Sequence, residues 1–233
     1  MDVVAPYTKW IRSFSCTEGN EFIPKVACEK GLKTMAGAWI GSDKEQNHKE
    51  IQALIDLANQ GHVDVAVVGN EVLLRNELTV KEIIDYIKEV KQALPDIPVS
   101  YVDAYYQFTN HPELVEVCDV ILANCYPFWE GCHIDQSSVY LTQMYKVLQD
   151  AAQGKSVIIT ETGWPSEGDQ TNDAEATQEN AIKFFVNVNN WASEQEVKLY
   201  YFSSFDESWK IHHEGDVGQR WGIWDKNEKL KNI

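Results

Sequence analysis

The feature that most restricts the fold of this chain is a regular alternation. Short β-branched apolar runs and longer amphipathic segments follow one another from one end to the other. The runs are expected as strands at Lys9–Ser15, Lys33–Ile40, Asp64–Glu71, Pro98–Asp103, Val120–Tyr126, Ser156–Glu161 and Lys198–Phe205. The segments between them carry helix signals. Thr79-Val-Lys-Glu82 is a capping box, and Ile83, Ile84, Ile87, Val90 and Leu94 then share one face. Asn47–Asn59 groups Ile51, Leu54, Ile55 and Ala58, and Gly61 suits a C-terminal cap. Tyr140–Ala152 groups Leu141, Met144, Tyr145 and Leu148 before Gly154, and Ala181, Phe184, Phe185 and Val188 repeat the pattern.

Such alternation implies right-handed βαβ units and a parallel sheet, either closed into a barrel or doubly wound. No GxGxxG or P-loop follows any expected strand, which removes the nucleotide-site argument for the open sheet. Polar and aromatic residues instead gather at strand C-terminal ends: Arg12, Ser15, Trp39, Asn70, Glu71, Asp103, Tyr126, Glu161, Trp164, Phe205, Asp206 and Glu207. That distribution favours an α/β fold of (β/α)8 TIM-barrel type. With no linker, repeat or low-complexity stretch, residues 1–233 are expected to form a single barrel domain.

The net charge of −16 opposes binding to nucleic acid or to anionic membranes, and no apolar run is long enough for membrane insertion. A neutral glycan is indifferent to that charge. The 8 Trp and 10 Tyr offer planes on which sugar rings can pack, although each could equally belong to the core. The 5 cysteines form no CxxC pair, so buried free thiols are expected, with two disulfides as the upper limit. His212-His213-Glu214 is the only metal-like cluster, and adjacent histidines point apart, so neither a metal nor an organic cofactor is expected. A monomer is expected.

Two segments carry the chemistry. Val67-Val-Gly-Asn70-Glu71 and Ile158-Ile-Thr-Glu161-Thr-Gly-Trp164-Pro165 are β-rich runs that end in a glutamate. An isolated glutamate at a strand end is ordinarily a salt-bridge partner or helix cap. Two of them, each beside residues suited to sugar contact, match the paired carboxylates of glycoside hydrolysis: a nucleophile and a general acid about 5–5.5 Å apart in retaining enzymes.

The chain resembles glycoside hydrolase family 17, the β-1,3-glucanases and β-1,3-glucanosyltransferases. The matching segments are Ile11–Ser15, Ala36–Ile40, Val68–Val72, Asn124–Phe128, Thr160–Ser166, Phe205–Lys210 and Trp221–Asp225, in family order. They look more like fungal and bacterial members than plant ones. The resemblance implies a retaining mechanism on a β-glucan, with Glu161 as nucleophile and Glu71 as acid/base. It implies that Asn70 binds the sugar 2-hydroxyl, that Tyr126 orients Glu161, and that Glu207 and Lys210 line the cleft. Trp164, Trp129 and Trp209 are candidate sugar platforms, each with core packing as its alternative, and Arg12 and Asp103 are further candidate substrate contacts. An extracellular, cell-wall or periplasmic setting is implied as well.

One departure from the family stands out. Met1–Pro6 resembles the tail of the helix after the family's first strand, and Lys9–Ser15 matches its second strand, so seven strands are expected and the first βα unit is not. Two other functions fit less of the pattern. A non-catalytic β-glucan-binding protein would keep the aromatics without needing both glutamates. A β-1,4-glucanase or mannanase barrel would lack the Thr160-Glu-Thr-Gly-Trp-Pro-Ser166 segment.

Overall fold

The computed structural model describes residues 1–231. Seven strands lie in a sheet whose spatial order is their sequence order: β1 (Trp10–Ser13), β2 (Lys33–Ala38), β3 (Val65–Asn70), β4 (Val99–Ala104), β5 (Ile121–Asn124), β6 (Val157–Thr162) and β7 (Lys198–Tyr201). The pairs β1–β2, β2–β3, β3–β4 and β6–β7 are parallel. A doubly wound sheet reverses its order at a switch point, whereas a (β/α) barrel does not, so this order supports the barrel reading. The seven strands match the number expected.

The helices are α1 (Phe22–Glu29), α2 (Lys44–Asn59), α3 (Val80–Ala93), α4 (Tyr105–Asn110), α5 (Pro112–Val117), α6 (Ser137–Ala151), α7 (Gln178–Glu194) and α8 (Ile211–Glu214). Residues α1, α4, α5 and α8 were not expected as helices; three of these span only four to six residues, too short for a 3.6-residue period to register. The Thr79–Glu82 capping box forms in full at the start of α3. Helix α2 begins earlier than its apolar face implies, because Asp43 caps it by accepting from Glu45 N and Gln46 N at 3.0 and 3.1 Å.

By contact the chain divides into two compact units. The first comprises Met1–Ala123 and Leu148–Val157, and the second comprises Asn124–Val147 with the chain from Ile158 onward. In the first unit every residue of β3 and β4 is buried, as expected for parallel strands covered on both faces. Glu50, on α2, is 1% exposed and ties loops together. Its carboxylate accepts from Ser15 Oγ at 2.6 Å, Cys16 N at 2.8 Å and Trp39 N at 3.1 Å. In the second unit Trp164, Phe128, Phe184 and Val188 form the apolar centre.

Several expected strands overrun their observed ends. β1 stops at Ser13, leaving Ser15 in a loop held by Glu50. β5 stops at Asn124, so Tyr126 stands just beyond it. β7 stops at Tyr201, because the chain after it pairs elsewhere. Ser203 N bonds Trp221 O at 3.0 Å, Trp224 N bonds Ser204 O at 2.9 Å, and Asp206 N bonds Trp224 O at 2.9 Å. All five cysteines are free; Cys16, Cys118 and Cys125 are buried as expected, while Cys28 is exposed and Cys132 is half-buried.

Candidate active site

Glu71 directly follows β3 and Glu161 is the penultimate residue of β6, and in each strand the pairing slips beside the glutamate. Between β3 and β4 the register shifts between Val67 and Asn70, and between β6 and β7 it shifts between Ile159 and Thr162. An irregularity of this kind bends a strand and re-aims the side chains at its end.

In the first unit Gly69 makes the bend with φ +91°, and a Cβ there would lie 2.9 Å from Val72 Cγ2 and 3.0 Å from Ile40 Cγ1. Glu71 then takes φ +54°, the left-handed region that non-glycine residues rarely occupy. Two backbone bonds hold it there: Glu71 N donates to Val102 O at 2.8 Å, and Arg75 N donates to Glu71 O at 2.8 Å. Arg75 also bonds Asn70 O through Nη1, Ile40 O at 3.1 Å and Glu77 Oε2 at 2.8 Å, and its guanidinium lies 4.5 Å from the Trp39 ring. Arg12 Nη2 donates to Asn70 Oδ1 at 2.8 Å, which fixes the amide beside Glu71.

Asp103 belongs to this scaffold and offers nothing to a ligand; that corrects its reading as a substrate contact. It is fully buried, and its carboxylate accepts from Leu73 N at 3.0 Å, from Ala104 N at 2.7 Å and from the Tyr101 hydroxyl. Burial raises its carboxyl above the ordinary range, opposed by those donors. Its physical effect is to pin the backbone two residues past Glu71. Beside that loop, Leu73, Asn76, Glu77, Gln107 and His111 help to line an open groove of about 460 Å³.

In the second unit Glu161 is 6% exposed, and both its carboxylate oxygens are engaged. Asn124 Nδ2 donates to Oε1 at 2.9 Å, and the Tyr126 hydroxyl donates to Oε2 at 2.8 Å. Thr160 Oγ1 donates to Asn124 Oδ1 at 2.8 Å, which turns the amide so that its N–H faces Glu161. The expected link from Tyr126 to Glu161 is present; Asn124 was not singled out, although a polar residue ending Ile121-Leu-Ala-Asn124 was its signal. The two donors hold the Glu161 carboxylate in one orientation.

Around this carboxylate the aromatics sort by exposure. Trp164 is only 1% exposed, packs on Phe128 and Phe184 with ring centroids 5.3 and 5.5 Å away, and donates its Nε1 to Glu175 O at 2.9 Å. It is a packing residue, so the sugar-platform reading gives way to its alternative. Trp129 and Trp209 are 41% and 60% exposed and keep surface for a ligand. Tyr126 packs edge-on against Trp221 and Phe202, at centroid distances of 5.3 and 6.2 Å.

Glu207 and Lys210 form an ion pair at 2.8 Å, and the ammonium sits 4.0 Å from the centre of the Phe202 ring. Glu214, considered above only as a metal ligand, joins the same electrostatic group. Burial raises its carboxyl, the Lys210 charge pulls it down, and the Glu161 charge pushes it up. Among the described residues no group of three or more His, Cys, Asp or Glu side chains is placed to hold a metal ion.

The geometry has close counterparts. A family model described as the BtgE/BtgC glycoside hydrolase domain matches residues 1–222. A glucan 1,3-beta-glucosidase of Arthroderma benhamiae is 29% identical over 252 residues, covering 99% of this chain and 81% of that relative. The crystal structure of a family 17 beta-1,3-glucanosyltransferase from Rhizomucor miehei is similar with a TM-score of 0.91 at 30% identity, covering 99% of this chain and 87% of that one. An active-site mutant of the Rhizomucor enzyme in complex with laminaritriose matches with the same figures. Strand order, family match and structural likeness converge: this chain is a glycoside hydrolase of TIM-barrel type that belongs to the BtgE/BtgC domain family, within glycoside hydrolase family 17.

Proposed function

We propose that the protein acts on β-1,3-glucan by a retaining mechanism, with Glu161 as nucleophile and Glu71 as acid/base. The observation that carries this reading is the buried Glu161 carboxylate, gripped by Asn124 and Tyr126 at the end of β6. The names of the similar proteins, glucan 1,3-beta-glucosidase and beta-1,3-glucanosyltransferase, support the substrate class.

In the first step Glu161 attacks the anomeric carbon and the glycosidic C–O bond breaks. Glu71 gives its proton to the departing oxygen, and the sugar remains esterified to Glu161. In the second step Glu71, now ionised, removes a proton from an incoming hydroxyl, which attacks the same carbon and releases Glu161. Water as acceptor gives hydrolysis; a sugar hydroxyl gives transfer. Asn70, steadied by Arg12, would bond the 2-hydroxyl of the reacting sugar, a contact that strengthens at the transition state. Trp129 would supply an acceptor platform.

Incubation with laminari-oligosaccharides and separation of the products by size tests the substrate class. Shorter products mean hydrolysis, longer ones mean transfer, and an unchanged mixture from folded protein overturns the reading. Glu71→Gln tests the acid. It should spare substrates with good leaving groups far more than natural glucans, since only poor leaving groups need protonation. Equal losses on both would remove Glu71 from that role.

A further inference from the structure

Lys231 lies far from both glutamates in sequence and is 16% exposed at its side chain, yet all three N–H donors of its ammonium are used within the second unit. Nζ lies 2.7 Å from Asp206 Oδ1, 2.9 Å from Ser166 Oγ and 3.2 Å from Arg220 O. These acceptors sit on three different stretches of chain. Ser166 lies in the loop that follows β6, the strand carrying Glu161, and its N and Oγ also bond Arg220 O at 3.0 and 3.2 Å. Asp206 immediately precedes Glu207, is nearly buried, and accepts from Gly222 N at 2.9 Å. Arg220 immediately precedes Trp221, whose ring packs on Tyr126, the donor to Glu161.

We infer that Lys231 is a positioning residue for the reaction: its ammonium locks together the loop after Glu161, the loop carrying Glu207 and Lys210, and the strand-like stretch carrying Trp221. The inference rests on the proposed role of Glu161. The anchor itself is held in register, since Lys231 N donates to Ile223 O at 3.0 Å and Asp225 N to Lys229 O at 2.8 Å. Removing the charge takes the cation from Asp206, leaving the backbone donor Gly222 N on its carboxylate, and it frees Ser166 from the Glu207 loop. Rate is affected more than binding, because a misplacement of about 1 Å at a reacting group can cost about a hundredfold.

The test compares Lys231→Met, Lys231→Arg and Asp206→Asn with the wild type, by steady-state kinetics on laminari-oligosaccharides and by amide hydrogen exchange. Lys231→Met is expected to lower kcat by roughly ten- to a hundredfold while KM moves by less than about threefold. Lys231→Arg should recover most of that loss, and Asp206→Asn should reproduce it. Exchange in Lys231→Met should quicken in peptides covering Gly163–Ser166 and Ser203–Trp221, with β2 and β3 unchanged. An unaltered kcat, or exchange that quickens everywhere alike, overturns the inference. If the wild type itself leaves these glucans unchanged, the functional reading fails, and the exchange pattern still decides whether Lys231 orders these loops.

Discussion

Replacing Gly69 by Ala tests whether the bend before Glu71 is built into the backbone. The structure supplies two separate costs. The first is conformational: φ of +91° is open to glycine and penalises a Cβ by about 1–2 kcal/mol. The second is steric. The new Cβ would meet Val72 Cγ2 at 2.9 Å and Ile40 Cγ1 and Cδ1 at 3.0 and 3.2 Å, all inside ordinary contact distance. Overpacking of this sort costs about 1–3 kcal/mol, for a total of about 2–5 kcal/mol. At about 2–4 °C per kcal/mol for a chain of this size, Tm should fall by roughly 4–20 °C. Gly61→Ala is the internal control. Gly61 has φ +81° with nothing within 4 Å of its Cβ position, so it carries the first cost without the second. The gain from restricting the unfolded chain is common to both variants and cancels. Thermal unfolding of both, followed by turnover on a laminari-oligosaccharide, separates the terms. Gly69→Ala should lose more stability than Gly61→Ala by about 1–3 kcal/mol, and it alone should lose kcat. Equal losses of stability with turnover intact in both would refute the idea that this bend aims Glu71.

Tyr126→Phe keeps the ring that packs on Trp221 and deletes a donor to a charged acceptor, worth about 1.5–3 kcal/mol, so kcat should fall roughly ten- to a hundredfold. Trp164→Ala should cost about 3–5 kcal/mol in a denaturant melt, whereas Trp209→Ala at an exposed site should cost under about 1 kcal/mol and raise KM. Glu214 has a folded-state carboxyl raised above the ordinary 4.5. Its contribution to stability is therefore complete below that value and is lost as pH climbs through the folded one. The difference in Tm between wild type and Glu214→Gln should thus shift in favour of the variant as pH rises from 4 toward neutrality, measured by scanning fluorimetry across about that range; a flat difference would contradict the assignment.

Much of this was legible before the structure. Strand interiors such as Val65–Asn70 were readable because parallel strands buried on both faces are near-continuous apolar runs, and α3 was readable because capping box and apolar face agree. Glu71 and Glu161 stand out in the sequence only as a pair, because one glutamate closing such a run is ordinarily a salt-bridge partner or cap. The register slips beside them are not legible there, since a bulge is a property of two strands and no single stretch records it. Trp164 was ambiguous for a different reason. A tryptophan serves equally as sugar platform and as core, and only the enclosure by Phe128 and Phe184 decides. Asp103 was misread because a polar residue at a strand end looks the same whether it faces a ligand or, as here, caps the neighbouring loop. The bond between Asp206 and Lys231 spans 25 residues with no periodicity to announce it.

Azide rescue of Glu161→Ala asks whether Glu161 forms a covalent bond to the sugar. The variant should be inactive on an aryl β-glucoside of laminaribiose. Added azide should restore turnover by attacking the anomeric carbon from the side the carboxylate has vacated, yielding the α-glycosyl azide. A β-configured azide would reassign Glu161 as the acid/base, and no azide product from a folded variant would contradict its role as nucleophile.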